Sequence, residues 1–150
     1  MLKLGSTYLF IKDMEKSISF YEKLLEMKFT SKNYNRWAQF DFGGNCIALM
    51  NQKYDDERIK KSENLEGAYS KEYLEQHENY KITYGNNFVL NFYIDDLNSE
   101  YERLKSLNIG RLSSIMYINV ASPYYFFTIE DPDGNKLEIT GNYLANKETL

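Results

Sequence analysis

The sequence predicts an α+β fold built from two copies of one βαβββ unit, and three observations predict it. A strand-like run, a capping Asp and an amphipathic stretch occur twice in the same order. Three further strand-like runs follow each time. The last two runs of each set are separated by a Gly and Asn turn, Asp41-Phe-Gly-Gly-Asn45 in the first half and Asp131-Pro-Asp-Gly-Asn135 in the second.

In the first half, Leu4 to Ile11 reads as a strand and Asp13 as a helix N-cap, after which Met14, Ile18, Tyr21, Leu24 and Leu25 recur at helical spacing. Lys28 to Asn33, Trp37 to Phe42 and Cys46 to Met50 supply the three strands. In the second half Phe88 to Ile94 is the strand and Asp96 the cap, and Leu97, Tyr101, Leu104 and Leu107 repeat the earlier spacing. Ile115 to Val120, Tyr124 to Ile129 and Leu137 to Thr140 complete the set. The expected organisation is a single domain: a module over about residues 1–50, a connector over 51–86, a second module over about 87–141 and a tail over 142–150.

The connector is polar and has few large aliphatic residues. Lys71 to Gln76 reads as a short helix with Tyr69, Tyr73 and Leu74 docking one face. A structureless loop of this length is unusual, so part of the connector is expected to pack across the sheet.

Composition narrows the function. At 150 residues the chain can bury one core without disulfides, and the single Cys46 cannot form an internal one. No charged leader with a cleavage site precedes the first strand-like run, so a reducing cytoplasm is the expected location. No window approaches the roughly 20 consecutive apolar residues of a membrane helix. A net charge of -4 argues against a phosphate-binding surface, so membrane and nucleic acid drop out as partners. Aromatic residues make 16% of the chain, which suits a pocket that stacks flat organic groups. A general bias towards Asn, Lys, Ile and Tyr accounts for the same surplus.

Two motifs carry a resemblance. Asp13-Met-Glu-Lys-Ser-Ile-Ser-Phe-Tyr21 followed by Leu24-Leu25, together with Asp131-Pro-Asp-Gly-Asn-Lys-Leu-Glu138, closely resembles the vicinal oxygen chelate superfamily over nearly the whole chain. Glyoxalase I, extradiol dioxygenases, fosfomycin-resistance enzymes and bleomycin-resistance binding proteins share that scaffold, so the resemblance bears on fold more than on function. It implies the glyoxalase/bleomycin-resistance fold, a cupped mixed sheet with helices on the convex face and ligand in the concavity, and a homodimer.

Metal-dependent relatives draw two ligands from each unit, one on the first strand and one on the last. The positions that match here are Ser6 and Ala48 in the first unit, and Val89 and Glu138 in the second. Ala48 and Val89 have no lone pair to donate, and a neutral Ser6 hydroxyl is a poor substitute for imidazole. One carboxylate cannot hold a divalent cation against water. The expectation is therefore no metal and no cofactor.

Other chemistry is sparse. His77 is the sole histidine and reads as a solvated connector residue, with a catalytic role only if the connector folds over the cup. Cys46 shares a strand face with Ala48 and Met50 and reads as a small buried hydrophobe. Neither a Ser-His-Asp set nor a phosphate loop is recognisable. Alternation turns Glu138 toward the cup. It is either a vestigial rim carboxylate or, partly buried with Lys136 or a proton for partner, a weak candidate general base. The same alternation places Tyr8 and Phe10, and Asn91 and Tyr93, on the cup face as an aromatic, weakly polar wall. Trp37 is read either as a stacking residue or as core.

The leading expectation is a metal-free, cytoplasmic, homodimeric protein that binds or sequesters a small aromatic or planar molecule through Tyr8, Phe10, Trp37, Asn91, Tyr93 and Glu138. The competing class is an enzyme: a glyoxalase-type lyase, isomerase or dioxygenase with an atypical metal site or with Glu138 as base. A third is a protein-interaction module whose cup is filled by its own side chains.

Overall fold

The computed structural model describes residues 1, 3–61, 65–85, 88–119 and 122–144. They form two compact units, Met1–Ile18 with Lys28–Tyr84, and Ser19–Met27 with the described part of Gly85–Leu150. Val120, the expected end of one strand, and residues 145–150 of the expected tail lie outside the described residues.

The first unit opens with β1 (Thr7–Phe10) and the first turns of α1 (Met14–Leu25). Asp13 caps that helix, its Oδ1 accepting the Lys16 N–H at 3.1 Å. β2 (Ser31–Asn33), β3 (Trp37–Phe42) and β4 (Asn45–Met50) follow, in the sheet order β1-β4-β3-β2. β1 runs parallel to β4 and the other pairs are antiparallel. The pairing aligns Tyr8 with Ala48 and Phe10 with Met50, and Ala48 and Met50 with Gln39 and Trp37. Strand residues alternate between faces, so these six share one face. The other face carries Leu9, Ala38, Phe40, Ile47 and Leu49, all buried, and Met14 and Ile18 of α1 are buried as well.

The connector contributes α2 (Gln52–Lys61), a short 3-10 turn (Leu65–Gly67) and α3 (Lys71–Asn79) to this unit. Only α3 is expected from the sequence, and it runs beyond the predicted Gln76. Ser70 caps it through the Tyr73 N–H at 3.2 Å. The first strand is shorter than the predicted Leu4 to Ile11, although the Ile11 N–H still bonds the Met50 carbonyl at 3.0 Å.

The second unit repeats the plan with β5 (Val89–Ile94), α4 (Leu97–Leu107), β6 (Arg111–Leu112), β7 (Met116–Asn119), β8 (Pro123–Glu130) and β9 (Lys136–Gly141). Asp96 caps α4 through the Ser99 N–H at 3.0 Å, and Asn108 ends it in the left-handed conformation at φ 47°. Sheet order is β5-β9-β8-β6, with β7 also on β8, so the predicted strand Ile115 to Val120 corresponds to β7 and a short additional piece, β6, precedes it along the same edge. Ser113 fills the break: its N–H bonds the Thr128 carbonyl, and its Oγ accepts the Thr128 N–H at 2.9 Å.

The register of the two parallel pairs is the same. Asn91 lies beside Glu138 in β5 and β9, as Tyr8 lies beside Ala48 in β1 and β4. Leu97, Leu104, Phe127, Ile129, Leu137 and Ile139 are buried in this unit, with Phe20, Tyr21 and Leu24 from the later turns of α1. Arg103 caps the end of α1, donating to the Lys23 and Leu24 carbonyls at 2.9 and 2.8 Å while Glu100 holds its fork.

Candidate functional site: an aromatic cavity in the first unit

A cavity of about 490 Å³ opens on the sheet of the first unit. Its floor is Tyr8 and Phe10 from β1, Trp37 from β3 and Met50 from β4, the side chains that the strand register puts on one face. Tyr8 sits between the other two rings, 5.7 Å from Phe10 edge-on and 5.3 Å from Trp37. Trp37 Nε1 donates to Gln39 Oε1 at 3.2 Å, which fixes the indole plane. Tyr80, just past α3, continues the ring series 6.3 Å from Phe10.

The roof comes from the connector. Gln52 of α2 and Tyr73, Gln76 and His77 of α3 line it, with Arg36, in the turn just before β3, closing one side. A single carboxylate holds these pieces together. Asp55 is fully buried and accepts Arg36 Nε at 2.9 Å, Arg36 Nη2 at 3.1 Å, the Tyr69 hydroxyl at 2.7 Å and the Tyr73 hydroxyl at 2.8 Å. Burial alone would raise its pKa, but the bonds from Arg36, Tyr69 and Tyr73 outweigh that and hold Asp55 below the usual carboxylate range. Burial first, and then the bond to Asp55, push Tyr69 up to about 12. The node therefore stays Asp⁻, Arg⁺ and two neutral phenols at neutral pH.

His77 departs from its expected place in solvent. Its side chain is 17% exposed, its Nε2 lies 2.9 Å from Asp56 Oδ1, and its Nδ1 lies 2.9 Å from Gln52 Nε2. That pairing suits the tautomer with the proton on Nε2, donating to Asp56 while Nδ1 accepts from the amide. Its ring stacks on Tyr73 at 6.0 Å. The pairing has no local signature in the sequence, because it joins α2 to α3.

Of the predicted ligand-binding residues, Tyr8, Phe10 and Trp37 meet in this cavity. Asn91, Tyr93 and Glu138 do not line it and belong to the sheet of the second unit. There Asn91 Nδ2 donates to Glu138 Oε1 at 2.8 Å and to Thr140 Oγ1 at 2.9 Å. Glu138 thus takes Asn91 as its partner, where the sequence suggests Lys136 or a proton. Tyr93 is 65% exposed, and Asn142 Nδ2 approaches its hydroxyl at 3.4 Å. Cys46 is half-buried on the cavity face of β4, and desolvation followed by the nearby Asp41 raises its thiol pKa, against a nucleophilic role.

The sequence fits the Glyoxalase/Bleomycin resistance protein/Dioxygenase superfamily over residues 3–139. The chain belongs to this superfamily. Similar solved structures include a lactoylglutathione lyase from Agrobacterium tumefaciens, 18% identical with a TM-score of 0.64, covering 93% of each chain. A glyoxalase-related enzyme from Fulvimarina pelagi is 17% identical with a TM-score of 0.64, covering 95% of this chain and 89% of its own. A glyoxalase/bleomycin resistance protein from Albidiferax ferrireducens is 14% identical with a TM-score of 0.61, covering 93% of this chain and 98% of its own. At these identities the likeness is one of fold. No match is found among curated proteins.

The superfamily raises the question of a metal. At the positions that hold donors in metal-dependent members, Ala48 is fully buried hydrocarbon, Val89 is hydrocarbon and half exposed, and Ser6 is a half-buried hydroxyl. Glu138 already accepts Asn91. These residues do not fit a divalent cation. Among the described residues, no three His, Cys, Asp or Glu side chains gather as a metal site elsewhere. No helix among them is long and apolar enough to cross a membrane.

Proposed function

We propose that the chain is a metal-free small-molecule binding protein of the glyoxalase/bleomycin-resistance superfamily, a single-domain cytoplasmic homodimer that holds a planar or aromatic molecule. The cavity over Tyr8, Phe10 and Trp37 carries this reading. It has the volume of a small-ligand site, an apolar aromatic floor and a few polar side chains at its edge, the combination that binds flat organic molecules. Sequestration in such a site needs no reacting group.

Thermal shift against a panel of planar compounds finds the ligand, because any molecule that binds only the folded form raises its melting temperature. Trp37 is the sole tryptophan and lies on the cavity floor, so its fluorescence should respond to the same compounds. Affinity is expected to be equal with and without a chelator, in protein whose elemental analysis shows no stoichiometric divalent metal. About one nickel, zinc, iron or manganese per chain, or glyoxalase-type turnover lost with chelator, would replace this reading with that of an enzyme.

Tyr8→Ala should weaken binding by roughly 1–3 kcal/mol through lost stacking and burial. Tyr93→Ala, measured by the same fluorescence titration, decides whether the Asn91, Tyr93 and Glu138 surface also serves the ligand. A comparable loss shows that this surface also binds ligand, and an unchanged affinity shows that it does not.

A further inference from the structure

We propose that the cavity selects planar aromatic ligands that carry a carboxylate, and that Arg36 is the residue that anchors it. The proposal rests on the binding reading above and adds the charge of the ligand.

Among the described side chains that line the cavity, none is Asp or Glu, and Arg36 is the one that carries a fixed charge. Arg36 pairs with Asp55 through Nε and Nη2, with the Tyr73 hydroxyl also in contact. A guanidinium carries more N–H donors than those contacts use, and Nη1 takes no part in the fork to Asp55. The Arg36 side chain is 37% exposed and borders the cavity, whereas Asp55 is wholly buried behind it.

The negative charge behind Arg36 does not cancel its pull on a ligand. Asp55 shares its charge among four donors, two of them tyrosine hydroxyls, so Arg36 is not its only compensation. Asp56 is turned to His77. A ligand entering over the rings of Tyr8 and Trp37 therefore meets the outward edge of a guanidinium held rigid by its own buried partner. A carboxylate accepts such donors in a charge-assisted bond, while a ligand cation meets no acidic side chain on the lining.

Isothermal titration calorimetry with three probes of one shape tests this: 2-naphthoate, 2-naphthamide and 2-naphthylmethylammonium. Naphthoate should bind about tenfold more tightly than the amide, the scale of one charge-assisted hydrogen bond, and the ammonium should bind most weakly. Arg36→Lys keeps the charge opposite Asp55 but loses the planar fork. It should reduce naphthoate affinity about fivefold or more and leave naphthamide nearly unchanged.

Equal binding of naphthoate and naphthamide, or a preference for the ammonium, overturns the carboxylate proposal and leaves the aromatic cavity in place. An equal loss for both ligands in Arg36→Lys assigns Arg36 to the architecture alone and overturns its anchoring role. Absence of binding by all three probes overturns the proposal together with the reading it rests on.

Discussion

Arg36→Met should lower the unfolding free energy by about 3–5 kcal/mol, because it strands the fully buried Asp55 carboxylate without its cation. The reverse change, Asp55→Leu, should cost less. Arg36 is partly exposed and can take up water when its partner is gone, whereas Asp55 cannot. The double variant Arg36→Met with Asp55→Leu should recover part of the loss, since a hydrocarbon pair leaves no uncompensated charge. Urea unfolding of the three variants measures the cycle. Additive losses would show that the two residues do not act as a pair.

Acid should mimic part of this effect. Asp55 has a folded pKa below its unfolded value, so its contribution is fully present above the ordinary carboxylate range of about 4. It is lost as pH falls through the depressed folded value. The Asp55 contribution should therefore stay constant between about pH 7 and 5 and fall in more strongly acid solution, a fall that Asp55→Leu reduces.

Asp131→Ala is expected to be the second large effect, at about 3 kcal/mol or more. Asp131 is buried and accepts the Tyr21 hydroxyl, the Asn135 N–H and the Asn135 Nδ2 at 2.8 Å each, and the Asp133 N–H at 2.9 Å. Removing it deprives all four donors at once and loosens both the turn before β9 and the later turns of α1. Tyr21→Phe, which removes a single donor, should cost about 1 kcal/mol. Burial and then Asp131 raise the Tyr21 pKa well above its ordinary value, so the phenol keeps its proton through neutral and mildly alkaline pH. Thermal unfolding of both variants checks the ratio. Similar losses would mean that the turn holds without its carboxylate.

That bond explains why the two most recognisable motifs of the sequence occur together. The Phe-Tyr of the first helix and the Asp-Pro-Asp-Gly-Asn of the last hairpin meet at Tyr21 and Asp131 in the second unit. Neither Tyr21 nor Asp131 is among the residues that line the aromatic cavity.

Elements defined by local rules were legible in the sequence. Asp13 and Asp96 begin equivalent helices, and Trp37 to Phe42 reads as the strand it forms, because capping and alternation are written in adjacent residues. The α2 helix was not legible. Asp55 is its only buried residue, so no apolar stripe marks it, and what holds it is a carboxylate whose partners lie on three other segments. Alternation in β1 puts Tyr8 and Phe10 on one face, whereas Trp37, flanked by apolar residues on both faces of its strand, could not be assigned. The length of the connector implies that part of it packs across the sheet, but the choice of Arg36, Gln52 and His77 as lining residues has no local signal, since tertiary hydrogen bonds position them.

The way α2 and α3 are fastened has a consequence for local opening. Asp55 is the sole buried side chain of α2, and α3 has none, so little apolar area resists their separation from the sheet. Segments fastened in this way open locally at a fraction of the global unfolding free energy. Parting of the Asp55 node would then release α2 and α3 while the β-sheet beneath stays intact, and under the proposed binding function it would bare the rings of Tyr8, Phe10 and Trp37 without unfolding the unit.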